Sequence, residues 1–129
     1  MNNQNQKTEL PKVLLIEDDE ISVDVMKLFL RGFVEIDISY TAQDSIEKFK
    51  AQTYDLILMD INLGKGLTGI DLIRLIRELP QYKETPVLAV TAFAMKGDKE
   101  EFLSAGFDFY LAKPFTREEL RATIRRFLK

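Results

Sequence analysis

The stretch Tyr54-Asp55-Leu56-Ile57-Leu58-Met59-Asp60 runs through four consecutive large apolar side chains and then stops on a carboxylate. Such a run, followed by the glycine-containing loop Gly64-Lys65-Gly66-Leu67-Thr68-Gly69, reads as a strand covered on both faces. That is the habit of parallel sheets flanked by helices. In open sheets of this type, ligands gather beyond the carboxyl ends of the strands, so Asp60 is predicted to stand at a functional edge.

Working outward from that strand, apolar runs alternate with helix-period segments five times. Val13 to Ile16 is the first predicted strand and ends on Glu17-Asp18-Asp19; Val34 to Tyr40 is the second, where Val34, Ile36 and Ile38 alternate with an exposed side of Glu35, Asp37 and Ser39, placing it at a sheet edge. Pro86 opens the fourth, Val87 to Thr91, and Phe107 to Ala112 is the fifth, followed by Lys113-Pro114. The first helix carries Ile21, Val25, Leu28 and Phe29 on one stripe and is predicted to stop at Gly32. Thr41 with Asp44, Thr68 with Asp71 and Thr116 with Glu119 each place a hydroxyl three residues before an acid, fixing the starts of helices two, three and five. Their expected core stripes are Ala42, Ile46, Phe49, then Leu72, Ile73, Ile76, Leu79, then Leu120, Ile124, Phe127. Helix four, from about Met95 to Ala105, offers little apolar surface before Phe102 and Leu103 and is expected to be loosely held. Strand–helix alternation repeated in this way predicts a doubly wound α/β domain over residues 11–129, preceded by a disordered polar tail over residues 1–10.

Composition narrows the chemistry. A chain of 129 residues with no Cys needs no disulfide framework, and its net charge of −3 gives no basic excess for a phosphate backbone, so no direct nucleic-acid partner is expected. No apolar segment approaches the roughly 20 residues of a membrane span, and the opening residues lack the apolar core of a secretory signal. The expectation is a cytoplasmic protein with no membrane contact. The absence of His removes the commonest general base and imidazole metal ligation. Chemistry must rest on Asp, Glu, Lys, Thr, Ser, Tyr or Arg.

Glu17 and Asp18 end the first strand, Asp60 the third and Thr91 the fourth, and Lys113 follows the fifth. A parallel sheet would bring all five to one edge. Crowded carboxylates take up protons or bind a cation, and an all-oxygen set selects a hard ion such as Mg2+. Phosphoryl transfer needs its equatorial oxygens neutralised more than it needs acid–base chemistry, and a carboxylate nucleophile forms an aspartyl phosphate. Taken alone, Glu17-Asp18-Asp19 is equally a charged helix start, Lys113 a solvated turn residue, Thr91 a strand residue and Tyr110 an ordinary core or edge aromatic. Only joint placement separates the two views.

Leu14-Leu15-Ile16-Glu17-Asp18-Asp19, Leu58-Met59-Asp60-Ile61-Asn62, Val90-Thr91-Ala92 and Tyr110-Leu111-Ala112-Lys113-Pro114-Phe115 resemble the four signature stretches of the receiver domain of two-component response regulators. The match spans Lys12 to Leu128 and is similar both to stand-alone receivers and to those of hybrid histidine kinases. The resemblance implies a flavodoxin-like (βα)5 fold with strand order 2-1-3-4-5 and Asp60 as phosphoacceptor. It further implies Mg2+ ligated by Glu17, Asp18, Asp60 and the Asn62 carbonyl, and phosphoryl contacts from Thr91 and Lys113 across a cis Lys113–Pro114 bond. Thr91 and Tyr110 would be the switch residues, acting on the face of the fourth helix, fifth strand and fifth helix. A histidine kinase or a histidine phosphotransfer protein would be the donor, and the chain a signalling switch with only self-catalysed chemistry, not an enzyme. One departure is Gly64, where most receivers carry Pro four residues after the acceptor; Phe93 and Asn62 border the approach of hydrolytic water in this family.

Two other classes compete. An aspartyl-phosphate phosphohydrolase commonly needs a second Asp two residues after the nucleophile, where this chain has Asn62. A receiver-like binding module that is never phosphorylated would keep the acids as remnants. Gly64, Gly66 and Gly69 spell a dinucleotide fingerprint, but in the third unit and with no second nucleotide-binding half. Arg117, Arg121 and Arg125 form a stripe expected to be a solvated face.

Overall fold

The structure, a computed structural model, describes residues 9–61, 68–92 and 98–128, and of Asp98 and Lys99 only the backbone. Five strands, β1 (Lys12–Ile16), β2 (Glu35–Ser39), β3 (Leu56–Asp60), β4 (Val87–Thr91) and β5 (Phe109–Ala112), alternate with α1 (Glu20–Leu30), α2 (Ala42–Ala51), α3 (Gly69–Arg77), α4 (Asp98–Ala105) and α5 (Arg117–Phe127). All neighbouring strands pair in parallel, in the order β2-β1-β3-β4-β5. The predicted (βα)5 flavodoxin-like architecture is the observed one. The expected tail lies largely outside the described residues, as do Asn62, the Gly64 and Gly66 loop positions, Phe93 and Met95 to Gly97 of the expected fourth helix.

Because successive strand side chains point to opposite faces, the apolar runs divide into two cores. Leu14, Ile16, Ile57, Met59, Val87 and Ala89 face one side and pack with Phe49, Leu72, Ile73, Ile76 and Phe102 of α2, α3 and α4. Val13, Leu15, Leu56, Leu58, Leu88 and Val90 face the other and pack with Val23, Met26, Leu30, Leu120 and Ile124 of α1 and α5. Every residue of β3 and β4 is buried, which is what a strand with helices on both sides requires.

Helix starts follow the predicted caps. Thr41 accepts from the amide of Asp44, and Thr68–Asp71 and Thr116–Glu119 form reciprocal capping boxes. Gly32, at φ +76, lies just beyond Arg31, the C-cap of α1, as expected of a residue that must turn left-handed.

Three expectations need correction. The core face of α1 is Val23, Met26 and Leu30, at i, i+3 and i+7, whereas Ile21, Val25 and Leu28 are 74%, 41% and 58% exposed. This helix has two apolar stripes, and periodicity cannot choose between them; the sheet selects the one with Val23. Ser39 was expected on the exposed side of β2 but is fully buried, its hydroxyl donating to Asp44 Oδ2 at 2.8 Å. β5 begins at Phe109, later than expected, because Phe107 is a buried plug beside Phe102, with their rings edge-on at 6.1 Å. Among the described residues no helix is long and apolar enough to cross a membrane.

Candidate phosphoacceptor site

β1 and β3 are adjacent, with Ile16 opposite Met59, so Glu17 and Asp60 leave the sheet side by side. Asp60 is 7% exposed and Glu17 2%, while Asp18 is exposed. Carboxylate oxygens of Glu17, Asp18 and Asp60 all lie within 4.8 Å of one another. Two acids are thus buried and one faces outward, which leaves the cluster open to solvent on the side of Asp18.

Lys113 answers the cluster from the other end of the sheet. Its ammonium donates to Glu17 Oε1 at 3.1 Å, and its backbone N–H donates to the Thr91 carbonyl at 2.8 Å. Thr91, 3% exposed, closes β4 in register with Ala112, the residue before Lys113. The Lys113–Pro114 bond is cis, as the resemblance implied. The five residues expected at one edge are there.

Two supports were missed in the sequence. Glu17 is fixed by more than Lys113: its Oε2 accepts the Asp19 amide at 3.2 Å, and its own amide donates to the Ser39 carbonyl at 3.0 Å. Asp19 is also the N-cap of α1, accepting from the Ser22 amide at 2.8 Å. That hydrogen bond, with a lesser pull from Lys113, holds the Asp19 carboxyl below its ordinary range. Asp before a helical run is a cap pattern, so this role is legible in principle, but within an acid triplet the cap and the charged cluster share the same residues.

The donor set suits a hard cation. Three carboxylates from two strand ends supply only oxygen, and no His or Cys exists to select a softer metal. Buried like charges at this spacing repel, and a divalent ion relieves the repulsion more fully than one lysine can. Asn62, whose carbonyl was assigned to the same ion, lies outside the described residues. Tyr110 is half-buried, with its ring edge-on to Phe102 at 5.8 Å. The Arg stripe of α5 is partly structural: Arg121 donates to the carbonyls of Phe29 and Arg31, and both Arg121 and Arg125 lie over the Phe33 ring.

Comparison with known proteins agrees with this geometry. Residues 13–125 match the family model described as the response regulator receiver domain. The signal transduction histidine-protein kinase BarA of Escherichia coli (strain K12) is 36% identical over 116 residues, covering 89% of this chain and 12% of that protein. The aerobic respiration control sensor protein ArcB of the same organism is 39% identical over 117 residues, covering 89% of this chain and 15% of that one. The chain therefore spans well under a quarter of either relative's length. Among solved structures, the receiver domain of sensor histidine kinase PA1611 from Pseudomonas aeruginosa PAO1 aligns with a TM-score of 0.83 at 35% identity. The alignment covers 91% of this chain and 96% of that one, whose structure has a magnesium ion coordinated in the active-site cleft. With the fold, the acid cluster and these similarities in agreement, the chain belongs to the response regulator receiver domain family of two-component signal transduction.

Proposed function

We propose that this chain takes a phosphoryl group from a phosphohistidine on a partner protein onto Asp60, with Mg2+ bound by the acid cluster, and that the modification alters what binds the face of α4, β5 and α5. The observation that carries this reading is the convergence of Glu17, Asp18 and Asp60 within 4.8 Å, with Lys113 3.1 Å from Glu17.

In the proposed step a carboxylate oxygen of Asp60 forms the new O–P bond as the P–N bond of the donor breaks, and the leaving imidazole takes a proton from solvent. Asp60 is presented by a strand buried along its whole length, so the nucleophile is held without a mobile side-chain tether. Lys113, held by the Thr91 carbonyl and by Glu17, would meet charge on the phosphoryl oxygens, and the Thr91 hydroxyl would donate to one of them. A bound magnesium ion supplies charge neutralisation to those oxygens. Glu17 and Asp18 would hold it from β1 and Asp60 from β3. No His on this chain is needed, because the donor brings it.

The exposed stripe of α1 supports a protein donor. Ile21, Val25 and Leu28 run along one side of the helix that starts beside the acid cluster. Next to them a groove of about 220 Å³ is lined by Ile21, Val25, Phe29, Lys113, Pro114 and Phe115. Exposed apolar surface in a continuous stripe marks a contact face more often than chance exposure does. A helical donor surface seated there would bring its phosphohistidine to the rim that Asp60 occupies. We place the chain in the cytoplasm, as a switch and not a turnover enzyme.

Incubation with Mg2+ and acetyl phosphate should add one acid-labile phosphoryl group, cleaved also by hydroxylamine as an acyl phosphate is, that Asp60→Asn abolishes. Rapid multiple turnover of ordinary phosphate monoesters would instead support a phosphohydrolase.

A further inference from the structure

α3 touches the phosphoacceptor strand at one end and the junction of α4 with β5 at the other, and both contacts are too close to leave slack. At its first residue, Gly69, the amide donates to the Ile61 carbonyl at 3.2 Å, one residue past Asp60. A Cβ added at Gly69 would stand 3.0 Å from the Ile61 Cα and 3.2 Å from its carbonyl oxygen, so the helix abuts backbone and not a side chain that could yield. At the last residue, Arg77 donates from Nε and Nη2 to the Gly106 carbonyl at 3.2 and 2.9 Å, and from Nη2 to Asp108 Oδ2 at 2.8 Å. Its Nη1 reaches the carbonyls of Tyr82 and Thr85 at 2.9 and 2.7 Å. Gly106, at φ +124, ends α4, and a Cβ there would meet Ile73 Cγ1 at 3.3 Å and Arg77 Cγ at 3.4 Å.

The helix between these contacts is nine residues long, about 13 Å at roughly 1.5 Å per residue, and is locked to the sheet by the fully buried Leu72 and Ile73 and the nearly buried Ile76. α4, by contrast, buries Phe102 while Leu103 stays exposed, so its C-terminal end depends heavily on what Arg77 holds. A stiff element fixed to backbone at both ends passes a shift of one end to the other, because packed helices move as bodies by an ångström or so without deforming.

We propose that α3 is a strut that couples the backbone just past Asp60, at Ile61, to the C-terminal end of α4, independently of any movement of Thr91 and Tyr110. The proposal rests on Asp60 being the phosphoacceptor. Its consequence is that the α4–β5 corner responds to the state of Asp60 through Arg77.

The test uses the full chain with Mg2+ and beryllium fluoride, a stand-in for the phosphoryl group, read by fluorine NMR and by amide hydrogen exchange. In the unmodified protein, adding beryllium fluoride should change exchange at Leu103 to Phe107 by about fivefold, the lower end of ordinary site–site coupling. Arg77→Lys, which keeps the charge but loses the fork, should remove most of that change while the bound-fluoride signal and the response at Tyr110 persist. If Arg77→Lys does not fold, Asp108→Asn, which weakens one arm of the same hub, should show a smaller loss confined to the same amides. A full response at Leu103 to Phe107 in the folded variant overturns the strut, as does equal loss at Tyr110, which would mean general loosening. If the unmodified protein gives no bound-fluoride signal, the phosphoacceptor reading fails first and the strut falls with it.

Discussion

Replacing Asp60 by Asn should make the protein more stable without metal and less stable with it. Glu17 and Asp60 are both buried, with carboxylate oxygens within 4.8 Å. Two unit charges at that separation repel by about 3.5 kcal/mol at an effective dielectric near 20, and Lys113, 3.1 Å from Glu17, offsets part of it. Asn keeps the shape and an acceptor oxygen but removes the charge, so we expect Asp60→Asn to gain about 1–2 kcal/mol in EDTA, or roughly 3–8 °C in Tm for a domain of this size. Metal binding then reverses the order: a ligand at 100 times its Kd stabilises the native state by about 2.7 kcal/mol, and the variant, with one carboxylate fewer, gains much less. Urea unfolding of both proteins, in EDTA and in saturating Mg2+, measures the crossing directly. Equal stability in EDTA together with an equal response to Mg2+ would refute the repelling-cluster reasoning.

Other consequences can be checked in parallel. Arg77→Ala strands the carbonyls of Tyr82, Thr85 and Gly106 and should cost about 2–4 kcal/mol by denaturant unfolding, although the position sits in a charged stretch of surface. Met26→Ala, in the true core face of α1, should cost about 2–4 kcal/mol, whereas Leu28→Ser should change stability by under roughly 0.5 kcal/mol yet slow transfer from a phosphohistidine protein without affecting labelling by acetyl phosphate. Asp44 is held below its ordinary range by the Lys48 ammonium and then the Ser39 hydroxyl. Its folded pKa being depressed, its contribution is complete above about pH 4 and is lost as pH falls further, so Asp44→Asn should flatten the acid limb of an unfolding profile. Tyr54 is pushed upward, first by burial and then by its hydrogen bond to Asp37, so the stability it confers is complete below about pH 10 and is lost above; Tyr54→Phe should flatten the alkaline limb.

Much of this could be read from residues alone because two periodicities dominate the chain. Strands buried on both faces leave unbroken runs such as Leu56 to Met59, and capping pairs such as Thr68 with Asp71 mark where helices begin. Right-handed crossovers then leave few ways to arrange five strands, and the strand-end residues converge as a consequence. What periodicity could not reach was any choice between two equivalent faces. α1 offers Ile21, Val25 and Leu28 as well as Val23, Met26 and Leu30, and only contact with Leu15 and Leu58 shows which is inside. Nor could it foresee Ser39, buried because Asp44 from the next helix takes its hydroxyl, or the Arg77 hub, whose partners come from two separate segments, one before β4 and one between α4 and β5. Interactions between a side chain and distant backbone carbonyls leave no spacing in the sequence.

The most direct test of the central claim locates the modified atom. After labelling with acetyl phosphate and Mg2+, borohydride reduction converts an aspartyl phosphate to homoserine, which tandem mass spectrometry assigns to a position. We predict homoserine at position 60 and no other, dependent on Mg2+. Homoserine at Asp18 or elsewhere with Asp60 intact, or none despite incorporated phosphate, would contradict it.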